Sequence, residues 1–403
     1  MNKHIVIIGI NYYPEDSAIG LYTTQKAEYL VEQGFEVSVI TGFPYYPHWK
    51  ISKEYNSKSY FFQESINGVK VFRSKQYVPS NPTFIKRVWH MITFTFGNFI
   101  NLFKVKKPDI VISIIPFTTS SLLGWFLKTR YKCKLWTHIQ DFEFEAAKQT
   151  GLVNKKSYLT KILSYFESYI LKKSDVVSTI SKTMLNKVLI KSNKKGIYLP
   201  NWLDNSKFSN TPTSHPYMNS DKFKILYSGN IGEKQDWGFF YRLCENLKPY
   251  REEFEIIVVG NGSKKKEVIL KTKQYSFVKH FDLVPFESLS SLLKSTDLHI
   301  LFQKTQVVDT VMPSKVLGMF ASGKPSIITG NKKSELKSAF EKNKLGFYID
   351  DNEVGKIIDL LMILKNDTKQ RKDLGENAKK YVNSNFEKEK VLSRFIETAK
   401  GLI

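Results

Sequence analysis

Several loops of this 403-residue chain carry residues suited to holding an anion, and one strand end carries a histidine. Tyr227-Ser228-Gly229-Asn230-Ile231-Gly232-Glu233-Lys234-Gln235 reads as a strand, a glycine turn and a lysine before a helix. That arrangement makes a diphosphate clamp: Lys234 supplies a point charge and the turn supplies N–H donors. A solvated surface lysine would have the same local sequence. Gly260-Asn261-Gly262 also follows a strand and leaves room for a flat base or a ribose. In Val311-Met312-Pro313-Ser314-Lys315-Val316-Leu317 a loop enters a helix; Ser314 suits the N-cap, and the amides after it point at an anion. A purely structural cap is compatible with the same residues. The first strand ends in Gly9-Ile10-Asn11-Tyr12-Tyr13-Pro14-Glu15-Asp16-Ser17-Ala18-Ile19-Gly20 before a helix. Glycine there allows close backbone approach to a ligand, but the spacing is not Gly-x-Gly-x-x-Gly, which argues against NAD. His138 closes a strand in Leu135-Trp136-Thr137-His138-Ile139-Gln140-Asp141. It suits either a site or a packed, hydrogen-bonded interior, with Asp141 orienting it or capping the next segment.

These loops need strands and helices to aim them. Short apolar runs alternate with helical stretches throughout the chain. The first half offers His4–Ile10, Val37–Thr41, Val69–Ser74, Asp109–Ile114, Cys133–Ile139 and Val176–Ile180 as strands, with Ala18–Gln33 and Tyr158–Lys172 among the helices. The second half restarts the pattern with Lys224–Gly229, Glu255–Gly260, Val278–Leu283, Leu298–Phe302 and Pro325–Thr329. Continuous apolar strands separated by helices predict parallel sheets covered on both faces. The fold class is therefore α/β, with two Rossmann-like domains at residues 1–200 and 201–384, joined near Leu199–Phe208. A helix over about 385–403 is expected to pack back on the first domain. Asn210–Asp221, rich in Ser, Thr, Asn and Pro, reads as a surface loop. Ligands bind such sheets at the carboxyl ends of strands, so the active site is expected where the two domains face each other across a cleft.

Composition narrows the class further. Apolar residues make up 42% of the chain and aromatic residues 14%, which supports folded cores and excludes a disordered chain. The two cysteines, Cys133 and Cys244, neither build a disulfide framework nor show metal-ligand spacing. With no signal peptide pattern, a reducing cytoplasm is the simplest compartment. The net charge of +23 attracts polyanions: nucleic acid, anionic lipid headgroups, or nucleotide and lipid phosphates. A lysine-rich solvated surface would give the same number.

Taken together, the motifs resemble the retaining nucleotide-sugar glycosyltransferases of family 4, which have the GT-B fold. They are most similar to the colanic-acid and O-antigen type, including fucosyl- and N-acetylfucosaminyltransferase-like members. The likeness runs through Gly9–Gly20, Pro44-Tyr45-Tyr46-Pro47, His138–Asp141, Ser178-Thr179-Ile180-Ser181, Pro200-Asn201-Trp202, Tyr227–Lys234 and Pro313-Ser314-Lys315. It implies that Gly20 lies near the acceptor and the donor phosphates and that His138 contacts the donor sugar. Lys234 would stabilise the diphosphate leaving group. Gly229, Asn230, Gly260, Asn261, Ser314, Lys315 and Val316 become candidates for binding the donor. Three positions depart from the family pattern. Asn230 stands where a basic residue is usual, and Thr310 and Gly318 stand where two glutamates are usual. Asp309 can take over the sugar-hydroxyl contact of the first glutamate, and Lys315 can carry part of the phosphate binding. Gly318 cannot accept the ribose hydrogen bonds of the second.

The resemblance further implies retention of anomeric configuration by front-side attack, with the leaving phosphate assisting. The sequence has no Asp-x-Asp, which fits lysine and helix amides neutralising the diphosphate without a metal, and no cofactor is expected beyond a UDP- or GDP-linked donor substrate. The implied acceptor is a polyprenyl-diphosphate-linked saccharide in capsule, O-antigen or exopolysaccharide synthesis, and the implied sugar is fucose-type or N-acetylfucosamine. An acceptor of that kind places the chain at the inner face of the cell membrane. Between Phe84 and Lys107, Lys86, Arg87, Lys104, Lys106 and Lys107 flank the helical stripe Trp89, Ile92, Phe96, Phe99, Phe103. Lys86, Arg87, Trp89 and Phe96 are thus candidates for an anionic membrane surface or the acceptor. The run includes His90, Asn98 and Asn101 and falls short of the roughly 20 apolar residues needed to span. A core helix shows the same period. Three other classes compete: a nucleic-acid binder, for which no recognition motif is present; a nucleotide-sugar epimerase or hydrolase; and a non-catalytic partner subunit.

Overall fold

A computed structural model describes residues 2–16, 18–142, 158–204, 208, 212–306, 314–350 and 353–403. The chain divides into two compact units. The first comprises Met1–Asn201 together with Glu389–Ile403. Its strands are β1 (His4–Ile8), β2 (Glu36–Gly42), β3 (Phe61–Ile66), β4 (Val69–Ser74), β5 (Ile110–Ile115), β6 (Lys134–Ile139), β7 (Val176–Thr179) and β8 (Ile197–Tyr198), in the order β3-β4-β2-β1-β5-β6-β7-β8. Its helices are α1 (Ala18–Glu32), α2 (Lys53–Asn56), α3 (Phe84–Asn101), α4 (Thr118–Tyr131), α5 (Tyr158–Lys173) and α6 (Lys182–Ser192). All pairings are parallel except β3 with β4, which Asn67-Gly68 joins as a two-residue hairpin turn with φ 48 and 80.

Alternation along β1 sorts the core. Ile5 and Ile7 pack with Ala27 and Leu30 of α1, while Val6 and Ile8 pack with Phe94 of α3 and Leu123 and Leu127 of α4. Leu171 of α5 and Met184 and Val188 of α6 extend the packing beside β6 and β7. The helices therefore form one layer on each face of the sheet, which is why the central strands are apolar at every position.

The second unit comprises Trp202–Asp309 and Pro313–Lys388. Its strands are β9 (Phe223–Ser228), β10 (Phe254–Val259), β11 (Val278–Phe281), β12 (Leu298–Phe302), β13 (Ser326–Gly330) and β14 (Gly346–Asp350), all parallel in the order β11-β10-β9-β12-β13-β14. Its helices are α7 (Trp237–Leu247), α8 (Lys265–Thr272), α9 (Phe286–Lys294), α10 (Ser314–Ala321), α11 (Glu335–Asn343), α12 (Val354–Asn366) and α13 (Thr368–Asn385). A last helix, α14 (Lys388–Lys400), brings Phe395 onto Trp136 in the first unit, with rings stacked 4.2 Å apart.

The expected strands lie within one or two residues of the observed ones; β3, β8 and β14 are additional. The described part of Asn210–Asp221 lies at the surface as expected, and is anchored there: His215 and Met218 are buried, and Tyr217 stacks on Phe281 at 3.9 Å. In each sheet the strand order reverses at one crevice, between β1 and β5 and between β9 and β12. Ligands of open α/β sheets bind at such switch points, at the strand carboxyl ends.

Candidate active site

In the second unit, the turns after β9 and β10 are built against each other. Gly229 N donates to Val259 O (2.9 Å) and Ile231 N to Asn261 O (2.8 Å). A Cβ at Gly260 would lie 2.0 Å from the Gly229 carbonyl oxygen, and one at Gly262 would lie 2.3 Å from that of Ile231. The space a side chain would fill at either glycine thus holds neighbouring backbone. Their lack of a side chain is therefore required for the two loops to pack. Asn261 closes its own turn, its Oδ1 accepting from Gly262 N (2.9 Å). Asn230 is exposed at the tip, and its carbonyl accepts from Tyr227 Oη (2.7 Å). Trp237 Nε1 donates to Gly232 O (2.9 Å), and Gly232 N donates to Gln235 Oε1 (3.2 Å). The whole turn is held in place before any ligand arrives.

Across the switch point, Asp236 N donates to Phe302 O and Lys304 N to Lys234 O, fastening the end of β12 to the same turn. Glu233 gathers Lys264 (3.2 Å) and Lys304 (3.4 Å), while Lys234 sits half-buried beside it. Lys315, in the first turn of α10, reaches back over Gly229: its Cε and Nζ lie 3.1 Å from the Gly229 Cβ position. Its amine donates to Tyr227 Oη (3.0 Å), and burial lowers the amine to about 7. Val316 is a core residue, so only its backbone amide is placed for an anion. Ser314 begins the helix. Its side chain, and the whole of Asp309, lie outside the described residues. Gly229, Asn230, Gly260, Asn261 and Lys315 thus come together, with Lys234 on the same turn. What they form is a backbone turn held by its own hydrogen bonds, with a half-buried lysine against it and a helix N-terminus behind.

In the first unit, a buried carboxylate ties two loops at the strand ends. Glu15 Oε1 accepts from the amides of Tyr45 and Tyr46 (both 2.8 Å), and Oε2 accepts from Asn11 Nδ2 (2.7 Å). Burial pushes the Glu15 carboxyl up to about 7, against these bonds. Gly20 is required here: a Cβ would lie 2.6 Å from the Glu15 carbonyl oxygen. Arg73, fully buried, donates to Tyr13 O (2.5 Å), Gly42 O (3.1 Å) and Glu64 (2.5 Å), completing the support.

His138 stands deeper than its place near the end of β6 implies. It is 2% exposed; its Nδ1 meets Ser178 Oγ at 2.8 Å and its Nε2 meets Gln140 Nε2 at 3.0 Å. The Gln140 amide is a donor, so Nε2 accepts and Nδ1 carries the proton toward Ser178. Burial, then the Lys26 charge, holds the ring well below its usual range, so it stays neutral. Gln140 in turn exchanges two hydrogen bonds with Asn201 (3.0 and 2.9 Å). Glu15, Gln140, Asn201 and Tyr227 lie within the sequence motifs, and their partners are evident only in the fold. Gln140 and Asn201 are polar residues just past strand ends, the one signal that could have singled them out.

Lys86, Arg87, Trp89 and Phe96 all lie on α3, with Trp89 and Phe96 facing solvent. Among the described residues, no helix is long and apolar enough to cross a membrane, and no three His, Cys, Asp or Glu side chains converge as metal ligands.

Residues 17–201 match the family described as glycosyl transferase 4-like domain, and residues 215–381 match glycosyl transferases group 1. The chain is 31% identical to the putative colanic acid biosynthesis glycosyl transferase WcaI of Escherichia coli strain K12, over 98% of this chain and 100% of that one. Among solved structures it is similar to sucrose-phosphate synthase from Thermosynechococcus elongatus, with a TM-score of 0.74, 13% identity and coverage of 100% and 99% of the two chains. It is also similar to Anabaena Alr3699/HepE in complex with UDP-glucose, with a TM-score of 0.71, 12% identity and coverage of 99% and 100%. Full-length identity at this level, two family matches in chain order and the two Rossmann-like sheets agree: the chain is a glycosyltransferase of the group 1 family, with the GT-B fold.

Proposed function

We propose that the chain transfers a sugar from a UDP- or GDP-linked donor to a polyprenyl-diphosphate-linked saccharide, in the synthesis of an extracellular polysaccharide. The observation that carries the donor half is the Lys315 amine, enclosed over the Gly229 turn at the β9–β12 switch point. A diphosphate at that turn would meet the Lys315 charge, the α10 amides and Lys234 together. The HepE complex with UDP-glucose supports a nucleotide-sugar donor, and the colanic acid role in the WcaI name supports the polysaccharide setting. The sugar proposed is fucose-type or N-acetylfucosamine, following the family resemblance.

Transfer proceeds with retention. The bond between the anomeric carbon and the phosphate oxygen breaks while the acceptor oxygen approaches on the same face, and the acceptor proton passes to the leaving phosphate. Lys234 and Lys315 stabilise the charge that develops on the diphosphate, without a metal. Asp309 holds sugar hydroxyls. His138, neutral and bonded at both ring nitrogens, acts on the donor sugar through the Gln140–Asn201 amide pair rather than by proton transfer.

The test is thermal stabilisation by UDP, GDP and their sugar conjugates with EDTA present. A ligand bound to the native state raises stability with occupancy. A clear rise with one nucleotide family is expected. No rise with any of them, or a rise that only Mg²⁺ or Mn²⁺ restores, would overturn the metal-free donor site.

A further inference from the structure

Helix α3 is built inside out. The residues it turns inward include His90, Asn98 and Asn101, while Ile85 and Phe96 are 79% and 74% exposed and Trp89, Phe99 and Ile100 also face solvent. Most of the buried polar groups find partners: His90 Nδ1 meets Tyr77 O, Asn98 Nδ2 donates to Phe94 O (3.1 Å), and Asn101 Nδ2 donates to Asn98 Oδ1 (3.0 Å), while His90 Nε2 has none. Gly97 lets the helix seat closely, since a Cβ there would lie 2.7 Å from Ser74 Oγ. Folding therefore positions this aromatic face outward; poor packing does not leave it there.

The face does not end with α3. Phe99 and Phe103 pack against Phe126 of α4 at 4.9 and 5.7 Å, and Trp125 of α4 packs against Tyr169 of α5 at 6.0 Å. Beyond them α5 exposes Tyr165 (74%) and α6 exposes Ile190 (80%). All four helices belong to the same layer of the sheet. Their charges are one-sided: α3, α4, α5 and α6 carry two, two, three and three Lys or Arg, against a single carboxylate, Glu167. Glu167 is buried and paired with Lys191 (2.5 Å). On the opposite layer, α1 and α14 mix both signs. Cations also lie over the rings: Arg130 over Phe103 (5.1 Å) and Lys173 over Tyr169 (4.7 Å).

We infer that the outer surface of α3, α4, α5 and α6 is one docking platform that lies flat on an anionic bilayer, with aromatic side chains at headgroup depth and lysines against lipid phosphates. The inference rests on the lipid-borne acceptor proposed above and deepens it. A single amphipathic helix could roll about its own axis; contacts on α3 and α5 together fix how the first unit is turned on the surface. A second copy of the chain is a poor occupant, because two such cationic faces repel.

The experiment is co-sedimentation of the full chain with phosphatidylcholine vesicles, with and without phosphatidylglycerol, at low and high salt. Phe96→Glu on α3 and Tyr165→Glu on α5 are the variants. Both positions are exposed, so melting temperatures should match the parent. Binding should need phosphatidylglycerol, fall with salt, and weaken about tenfold or more with each substitution. Equal binding to both vesicle types would overturn the proposal, as would self-association through this face in sedimentation velocity. Loss with Phe96→Glu but none with Tyr165→Glu would reduce it to a one-helix contact. Vesicle binding requires no nucleotide and the donor test requires no lipid, so either reading can fail without the other.

Discussion

Gly260→Ala tests whether the donor turn depends on two loops closing on each other. The added methyl would sit 2.0 Å from the Gly229 carbonyl oxygen and 3.1 Å from its carbon, where real Cβ atoms do not approach under 3.0 Å. The obstacle is backbone, so the loops must part by roughly 1 Å, an overpacking strain of about 1–3 kcal/mol. Removing glycine's freedom in the unfolded chain returns about 0.4–1 kcal/mol. The net is about 1–2 kcal/mol of destabilisation, a fall of about 2–8 °C in melting temperature for a unit of this size. The same displacement moves Gly229 from under the Lys315 amine, so nucleotide affinity should fall about tenfold. At a ligand excess that stabilises the parent by about 2.7 kcal/mol, the variant should then gain only about 1.4 kcal/mol. The assay is a thermal melt with and without nucleotide. Gly355→Ala is the control: nothing lies within 4 Å of its Cβ, and it starts a helix, so stability should rise by about 0.5 kcal/mol. A Gly260→Ala protein that melts within about 1 °C of the parent and keeps the full nucleotide effect would refute the reasoning.

Burial holds Lys315 at about 7, and a bound diphosphate favours its charged form, so donor binding should take up part of a proton and weaken from pH 7 to 9. Calorimetry in buffers of different ionisation heat measures this; heats that do not depend on the buffer would remove Lys315 from the site. Glu15 has a folded value of about 7 against an ordinary 4.5, so its contribution is fully present below about 4.5 and is lost as pH rises through 7, by at most about 3 kcal/mol. Glu15→Gln should cancel that slope, so that urea stabilities of variant and parent shift in the variant's favour between pH 5 and 8; parallel curves would contradict it. Lys234→Ala should lower turnover by about a hundredfold in steady-state kinetics, and normal kinetics would take Lys234 out of the mechanism.

Strand positions were legible because parallel strands buried on both faces are apolar at every residue, and β4 and β12 were bounded without error. Strand β3 escaped because Phe61–Ile66 alternates and lies half in solvent, although Asn67-Gly68 is a strong hairpin signal. The stripe on α3 was legible from its period, but its direction was not. Periodicity finds a face, and only the partners of His90, Asn98 and Asn101 decide that the polar face goes inward. The surroundings of Lys315 met a similar limit: the sequence shows a lysine at a helix start, and only the assembled sheet brings its amine over the Gly229 turn to Tyr227.

The stacking of Phe395 on Trp136 sets the order in which a growing chain can finish folding. Phe395, Ile396 and Ala399 belong to the same apolar cluster as Ile5 and Ile7, yet they leave the ribosome after the whole second unit. At about 5–20 residues per second, the interval between Trp136 and Phe395 is on the order of tens of seconds. Throughout it the first unit has an open groove where α14 will lie, with Trp136 and the Lys26 amine, later 4.6 Å from the Phe395 ring, uncovered. The second unit is synthesised entirely within that interval and can close first. The first unit is thus completed by a helix that follows the second unit in the chain, and a stop codon ahead of Lys388 would damage the fold some 250 residues upstream of the truncation.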